Sequence, residues 1–411
     1  TVLEGFTLTG GIGYFEPWYE QRIGGAIFIY QSYPTIRNCT LVNNSTDSYG
    51  GAVYAGLAYI DSVSFENCTF ANNESPRGGA IFAGRTNLVL TNCSLVNNTA
   101  QFGGAIEATE SGTSITQLAM TNCLIDGNIA TQGGGMRLSQ KGVSQITNCV
   151  INNNEATIAG YAGGGCIVES QHNFINCTFT NNNAVNGNGG AVSIASYAGA
   201  SPSFTGCEFS NNIAQYGGAI YASNGCTSEI TGCDIRDNFA YTRGGGINVE
   251  GCSIIINACS IIGNWTTLNI NETWHDGGGI WLGGTPSPTI SNSLIAGNTA
   301  VTGGGISSVN SDVVIANTTI YANKSLTRGG GVYARTKTGS AQFHNSIAWS
   351  NSDNIGTGES SQLFLNDGES LGEIDISHSI VEHWSGTYGG NYNSGIDPRW
   401  VSPLGEDGIA G

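Results

Sequence analysis

The amino-acid sequence predicts an all-β protein built as a single right-handed parallel β-helix, a solenoid of about twelve to fourteen coils with asparagine ladders at its corners. Three observations carry that expectation. The composition is poor in helix formers, a glycine signature recurs mostly every 25 to 30 residues, and small, apolar and amide residues keep fixed offsets within each repeat.

The 411 residues include 62 Gly, only 10% are charged, and Asn, Ser and Thr are abundant. Gly, Asn and Thr weaken helices, whereas Val, Ile, Phe and Tyr in short alternating runs suit strands. Length alone suggests two or three globular domains, but a periodic chain folds as one elongated domain. Thirteen basic residues stand against 30 acidic ones, a formal charge of −17. Such a surface repels the phosphates of nucleic acid and of anionic membranes, so neither is an expected partner. No apolar run approaches the roughly 18 residues of a membrane span, and no membrane insertion of this segment is expected. The chain starts in mid-pattern, at TVLEGFTLTGG, and stops at LGEDGIAG, which predicts a piece of a longer protein.

A Gly-Gly-Ala or Gly-Gly-Gly triplet begins at residues 24, 50, 78, 103, 133, 163, 189, 217, 244, 277, 303 and 329. Each is followed by a small residue: Cys39, Cys68, Cys93, Cys123, Cys149, Cys177, Cys207, Cys233, Cys259, Ser293, Thr318 and Ser346. Three positions before it stands a large apolar residue, from Ile36 to Phe343, and two after it an apolar one. Five after it stands Asn every time: Asn44, Asn73, Asn98, Asn128, Asn154, Asn182, Asn212, Asn238, Asn264, Asn298, Asn323 and Asn351. One such repeat cannot bury its apolar face alone, so it must stack on its neighbours.

The small residue and the apolar one two later share parity and point inward from one strand; the apolar residue three earlier ends the preceding strand across a corner. A second series, Asn38, Asn67, Asn92, Asn122, Asn148 and Asn176, occupies that corner. Stacked amides hydrogen-bond along a column and satisfy turn backbone groups. The glycine pairs supply a corner where a side chain would clash or φ must be positive. The regular repeats fill residues 1–351, with an aromatic insertion at 14–20 and an enlarged loop at 264–277. Residues 352–411 read as a degenerate final coil and an irregular segment leading to a further domain.

The repeated GGAI or GGAV followed by N-C-T-F-x-x-N, as in NCTFANN and NCTFTNNN, resembles the repeats of chlamydial polymorphic membrane proteins and related bacterial surface β-helices of the pectin-lyase-like superfamily. The tail, NSIAWSNSDNIG with GIDPRWVSP, is similar to the closing coils of large secreted bacterial β-helix proteins. The resemblance implies an extracellular or cell-surface location, on a bacterial outer surface, and often adhesion. Half of the triplets here are GGG, and Phe fills the F-x-x-N position only at Phe70, Phe179 and Phe209.

Twelve Cys raise the question of metal or disulfide. Nine form one column, unlike any C-x-x-C zinc spacing, and read as buried thiols. Cys226 and Cys252 each lie seven residues before a column Cys on successive coils, where a disulfide is open to them if geometry allows.

Catalytic constellations are scarce. Enzymes of the resembled superfamily use clustered Asp with Arg or Lys, often around calcium, or paired carboxylates, and no such cluster recurs here on neighbouring coils. Arg243 and Asp276 fall just before successive glycine triplets, where a surface ion pair is the plainer reading. The enlarged loop gathers Trp265, Glu272, Trp274, His275 and Asp276, with Trp281 on the strand beyond. Tryptophans covering a coil edge explain it structurally; a glycan or partner site explains it functionally. An outward stripe containing Phe28, Tyr54 and Phe82 offers a second binding surface or simple packing. No cofactor is expected; calcium at the acidic end, Asp397 with Glu406 and Asp407, is the weakest candidate.

Function is therefore expected to be that of a non-catalytic surface or secreted scaffold of adhesin type, whose faces bind a surface glycan or another surface protein. The alternative is a polysaccharide lyase or glycoside hydrolase, with Glu272, Asp276 and His275 as its catalytic groups.

Overall fold

The computed structural model describes residues 1–17, 20–109, 117–139, 143–195, 199–270, 275–284, 286–335, 340–365 and 374–398. Short parallel strands stack in register, coil upon coil, into a β-solenoid. Helix is confined, among these residues, to the single turn Glu359–Gln362.

A typical coil has four strands, as in Ile106–Thr109, Leu118–Thr121, Leu124–Asp126 and Ile129–Gln132. The third strands build a 14-stranded sheet and the fourth a 10-stranded one. The first and second strands are separate in most coils but fuse in Val53–Glu66 and Ile81–Thr91, linking both stacks into a 25-stranded sheet. In most coils the segment after the ladder Asn is a strand in its own right, and the alanine in its second position (Ala130, Ala156, Ala184, Ala214, Ala240) is small enough to pack inward beside the glycine corner.

Alternation produces the core. Ile36, Cys39 and Leu41 are at most 1% exposed, and Phe65, Cys68 and Phe70 repeat the arrangement one coil on. The phenylalanines stack along the axis: Phe174 lies 5.1 Å from Phe204 and Phe179 lies 4.9 Å from Phe209.

Corners are made by single left-handed residues. Asn38, Asn67 and Asn92 have φ of 55°, 53° and 52°, a conformation Asn tolerates better than most side chains. Their amides bond along the surface from Asn122 to Asn92, Asn67 and Asn38 at 3.2–3.3 Å. The first glycine of a triplet is also left-handed, as at Gly103 with φ 62°. The second is excluded from carrying a side chain by proximity: a Cβ on Gly104 would sit 2.0 Å from the carbonyl oxygen of Gly134.

The buried Asn column runs unbroken. From Asn44 to Asn351 each Nδ2 donates to the next Oδ1 at 2.9–3.0 Å, and each Oδ1 also accepts the preceding backbone N–H. Gln362, delivered by the helical turn, closes the column by accepting from Asn351 Nδ2 at 2.8 Å. The ladder thus extends past residue 351.

The small-residue column is a hydrogen-bond ladder too. Cys93 Sγ reaches the carbonyl of Phe65 at 3.4 Å, and the amide of Cys123 donates to Cys149 Sγ at 3.4 Å. Ser293 and Ser346 accept the amides of Cys259 and Thr318 at 3.1 Å in the same way. This explains why Cys, Ser and Thr interchange there and Ala does not. Cys226 and Cys252 are joined as a disulfide, with Cα atoms 4.9 Å apart; ten other Cys are buried free thiols. Alkylation of the folded protein is expected to label none of those ten and alkylation after unfolding all of them. Labelling of the other two then requires prior reduction, and a mass spectrum showing bonds within the column would overturn the assignment.

Candidate functional site

Glycine corners leave a valley along the rod. Its walls are two columns of outward side chains, one just before each glycine triplet and one four residues into it. Consecutive strands hold both in register, for example Tyr49, Arg77 and Phe102 on one wall and Tyr54, Phe82, Glu107 and Arg137 on the other.

Near the N-terminal end the valley is filled. Tyr14 stacks on Phe28 at 4.9 Å and Tyr54 on Phe82 at 5.6 Å. Phe82 is 6% exposed, while Phe28 and Tyr54 are half-buried. The stripe therefore presents ring edges, not open faces. Arg77 lies over the Tyr49 and Phe82 rings at 5.4 Å and grips Glu107 with two bonds of 2.6 and 2.8 Å. Glu107 is fully buried, and Arg137 approaches it at 3.7 Å. Burial pushes the Glu107 carboxyl above its ordinary range despite both arginines.

Further along, the valley opens into a cleft of ≈ 750 Å³ whose lining includes Arg243, Asp276, Trp281, Arg328, Tyr333 and Arg335. Arg243 lies 4.7 Å over the Trp281 ring. Asp276 is held among Arg243, Arg335, His275 and the Thr302 hydroxyl; burial pushes its carboxyl up to about 6, against the pull of Arg243. Trp281 Nε1, Asn248 Oδ1 and Ser307 Oγ, neighbours in one column, are buried without a hydrogen-bond partner among the described residues. Buried polar atoms of this kind are costly unless water or a ligand meets them.

A second cleft of ≈ 590 Å³ shares Arg243 and is lined by Gln215, Tyr216, Tyr241, Thr242, Thr267, Asn269 and His275.

The structure separates the residues that sequence reasoning grouped. Asp276 and Trp281 line the first cleft and His275 the second. Trp265, 39% exposed, lies on the outer face of the ten-stranded sheet, 5.6 Å from Phe239. Glu272 and Trp274 lie outside the described residues, as do Glu406 and Asp407, whereas Asp397 lies within them. Arg243 and Asp276, expected at the surface, are both half-buried in the wall of the first cleft, where the Arg243 charge acts on the Asp276 carboxyl. Arg328 and Arg335 escaped notice; the signal was Arg328 standing, like Arg77 and Arg243, directly before a glycine triplet.

Among the described residues no group of three His, Cys, Asp or Glu is placed to hold a metal ion. His172 is buried in the core, and burial holds its imidazole down at about 4, hence neutral.

The model of the family described as right handed beta helix region matches residues 24–202 and 193–370. No curated protein sequence matches the chain. Among solved structures, the A-module of the mannuronan C-5 epimerase AlgE4 of Azotobacter vinelandii is similar over 89% of this chain and 87% of that one, at 11% identity and a TM-score of 0.36.

Proposed function

We infer, from the premise that this chain belongs to the right-handed β-helix family, that it is a non-catalytic extracellular or cell-surface module whose valley binds an acidic glycan. The observation that carries this reading is the concentration of Arg243, Arg328 and Arg335 in one cleft. The whole protein has only 13 basic residues against 30 acidic ones, so three cations converging there form a local exception to a repulsive surface. Guanidinium groups match carboxylate and sulfate geometry, and the Trp281 and Tyr333 rings beside them provide apolar surface for a sugar ring. The Cys226–Cys252 disulfide agrees with an oxidising, extracellular setting.

The test is titration with acidic and neutral polysaccharides. Acidic chains are expected to bind, more weakly as salt rises, and Arg328→Ala and Arg335→Ala are each expected to weaken binding about tenfold. Equal binding of neutral chains, or indifference to both substitutions, would sink the reading.

Asp276 favours a second reading, a lyase or hydrolase, because a carboxyl poised near 6 suits proton transfer at neutral pH. Unsaturated products or new reducing ends, lost in Asp276→Asn, would establish it in place of simple binding.

A further inference from the structure

The two clefts meet at one residue yet differ in chemistry. Arg243 belongs to both. On one side lie Asp276, Arg328 and Arg335, charged groups facing one another. On the other lie amides, hydroxyls and rings: Gln215, Thr242, Thr267, Asn269, Tyr216 and Tyr241. Among the described residues, apart from the shared arginine, His275 is the one titratable group lining it besides the two phenols. Tyr241 is 39% exposed and its ring is braced edge-on by Phe239 at 4.8 Å, which presents a fixed aromatic face. The consecutive residues His275 and Asp276 turn to opposite clefts, so the boundary between the two chemistries is one backbone strand wide. Each cleft is of a size that ordinarily takes a small ligand.

We propose that the two clefts form one track for a heteroglycan in which anionic and uncharged sugars alternate. The anionic residue sits among Arg243, Arg328 and Arg335, and its uncharged neighbour packs on Tyr241 with Gln215 and Asn269 as hydrogen-bond partners. This rests on the acidic-glycan reading above and narrows it. A chain of uronate alone would bring a second carboxylate into a cleft whose described lining has amides and hydroxyls but, beyond Arg243, no fixed cation. Desolvating that charge there costs binding, whereas an N-acetyl or hydroxyl-bearing sugar finds partners.

The experiment compares oligosaccharides of equal length, one a homopolymeric uronate and one alternating uronate with N-acetylhexosamine, by calorimetric titration of the whole chain. The alternating oligosaccharide is expected to bind at least tenfold more tightly. In Tyr241→Ala that advantage is expected to collapse, and Gln215→Ala, a milder change, is expected to reduce it. Equal affinity for the two polymers, or an advantage untouched by Tyr241→Ala in a protein of unchanged melting temperature, overturns the alternating track and leaves the acidic-glycan reading standing. Failure of both oligosaccharides to bind overturns that reading as well.

Discussion

Asn154→Ala is expected to destabilise the rod by roughly 2–6 kcal/mol, because two buried backbone groups lose their partners at about 1–3 kcal/mol each. Asn154 Oδ1 accepts the amide of Asn128 at 3.1 Å, and its Nδ2 donates to the carbonyl of Ile125 at 2.9 Å. Both neighbours are held by strands above and below and cannot turn to water. Asn128 Nδ2 retains the Leu95 and Asp126 carbonyls, so the column itself is interrupted but not emptied. Denaturant unfolding followed by circular dichroism measures the effect. A loss below about 0.5 kcal/mol would mean that the column is an ornament of the fold and not a source of its stability.

The second large effect is expected at the filled end of the valley. Arg77→Met should cost about 3 kcal/mol at pH 8, in the range for stripping one partner from a buried pair. It removes both close bonds to the fully buried Glu107 and leaves only Arg137, 3.7 Å away. The sign of the pH dependence follows from Glu107, whose carboxyl burial already pushes upward. A carboxyl with a folded pKa above its unfolded value favours the fold below the unfolded pKa and loses that contribution as pH rises through the folded one. Without Arg77 the upward shift grows, so the penalty should be full at pH 8 and shrink toward pH 4.5 as Glu107 takes up a proton. Thermal melts of both proteins across that range provide the check; a penalty constant with pH would contradict the buried-carboxylate account.

Much of the fold was legible because a solenoid turns sequence period into spatial column. The Asn at a constant offset from each small residue had to stack, and the parity of Ile36, Cys39 and Leu41 had to face one way. Less was legible of the thiol column: a Cys beside apolar residues reads as a small hydrophobe, and only the carbonyl of Phe65 lying 3.4 Å from Cys93 Sγ shows it to be a ladder. Gln362 was invisible for a related reason. It reaches the ladder by way of a helical turn that breaks the repeat, so no offset announces it.

The candidate site divides along the same line. Asp276 and Trp281 stood out as titratable and aromatic residues near an enlarged loop, and the aromatic stripe stood out as a column. Whether a column position is a filler or a wall depends on what the opposite column supplies across the glycine corner. At Phe82 the answer is Arg77 and Tyr49, and the valley closes. At Trp281 and Tyr333 it is Arg243, Thr302 and Arg328, and the valley stays open. The columns could be read from the repeat alone, since stacking at one strand spacing makes every repeat position a neighbour of its counterpart. What the cleft holds was settled by packing in three dimensions, because its volume is the difference between two columns whose successive members lie a whole coil apart in the chain and which face each other only where a glycine lets the backbone turn.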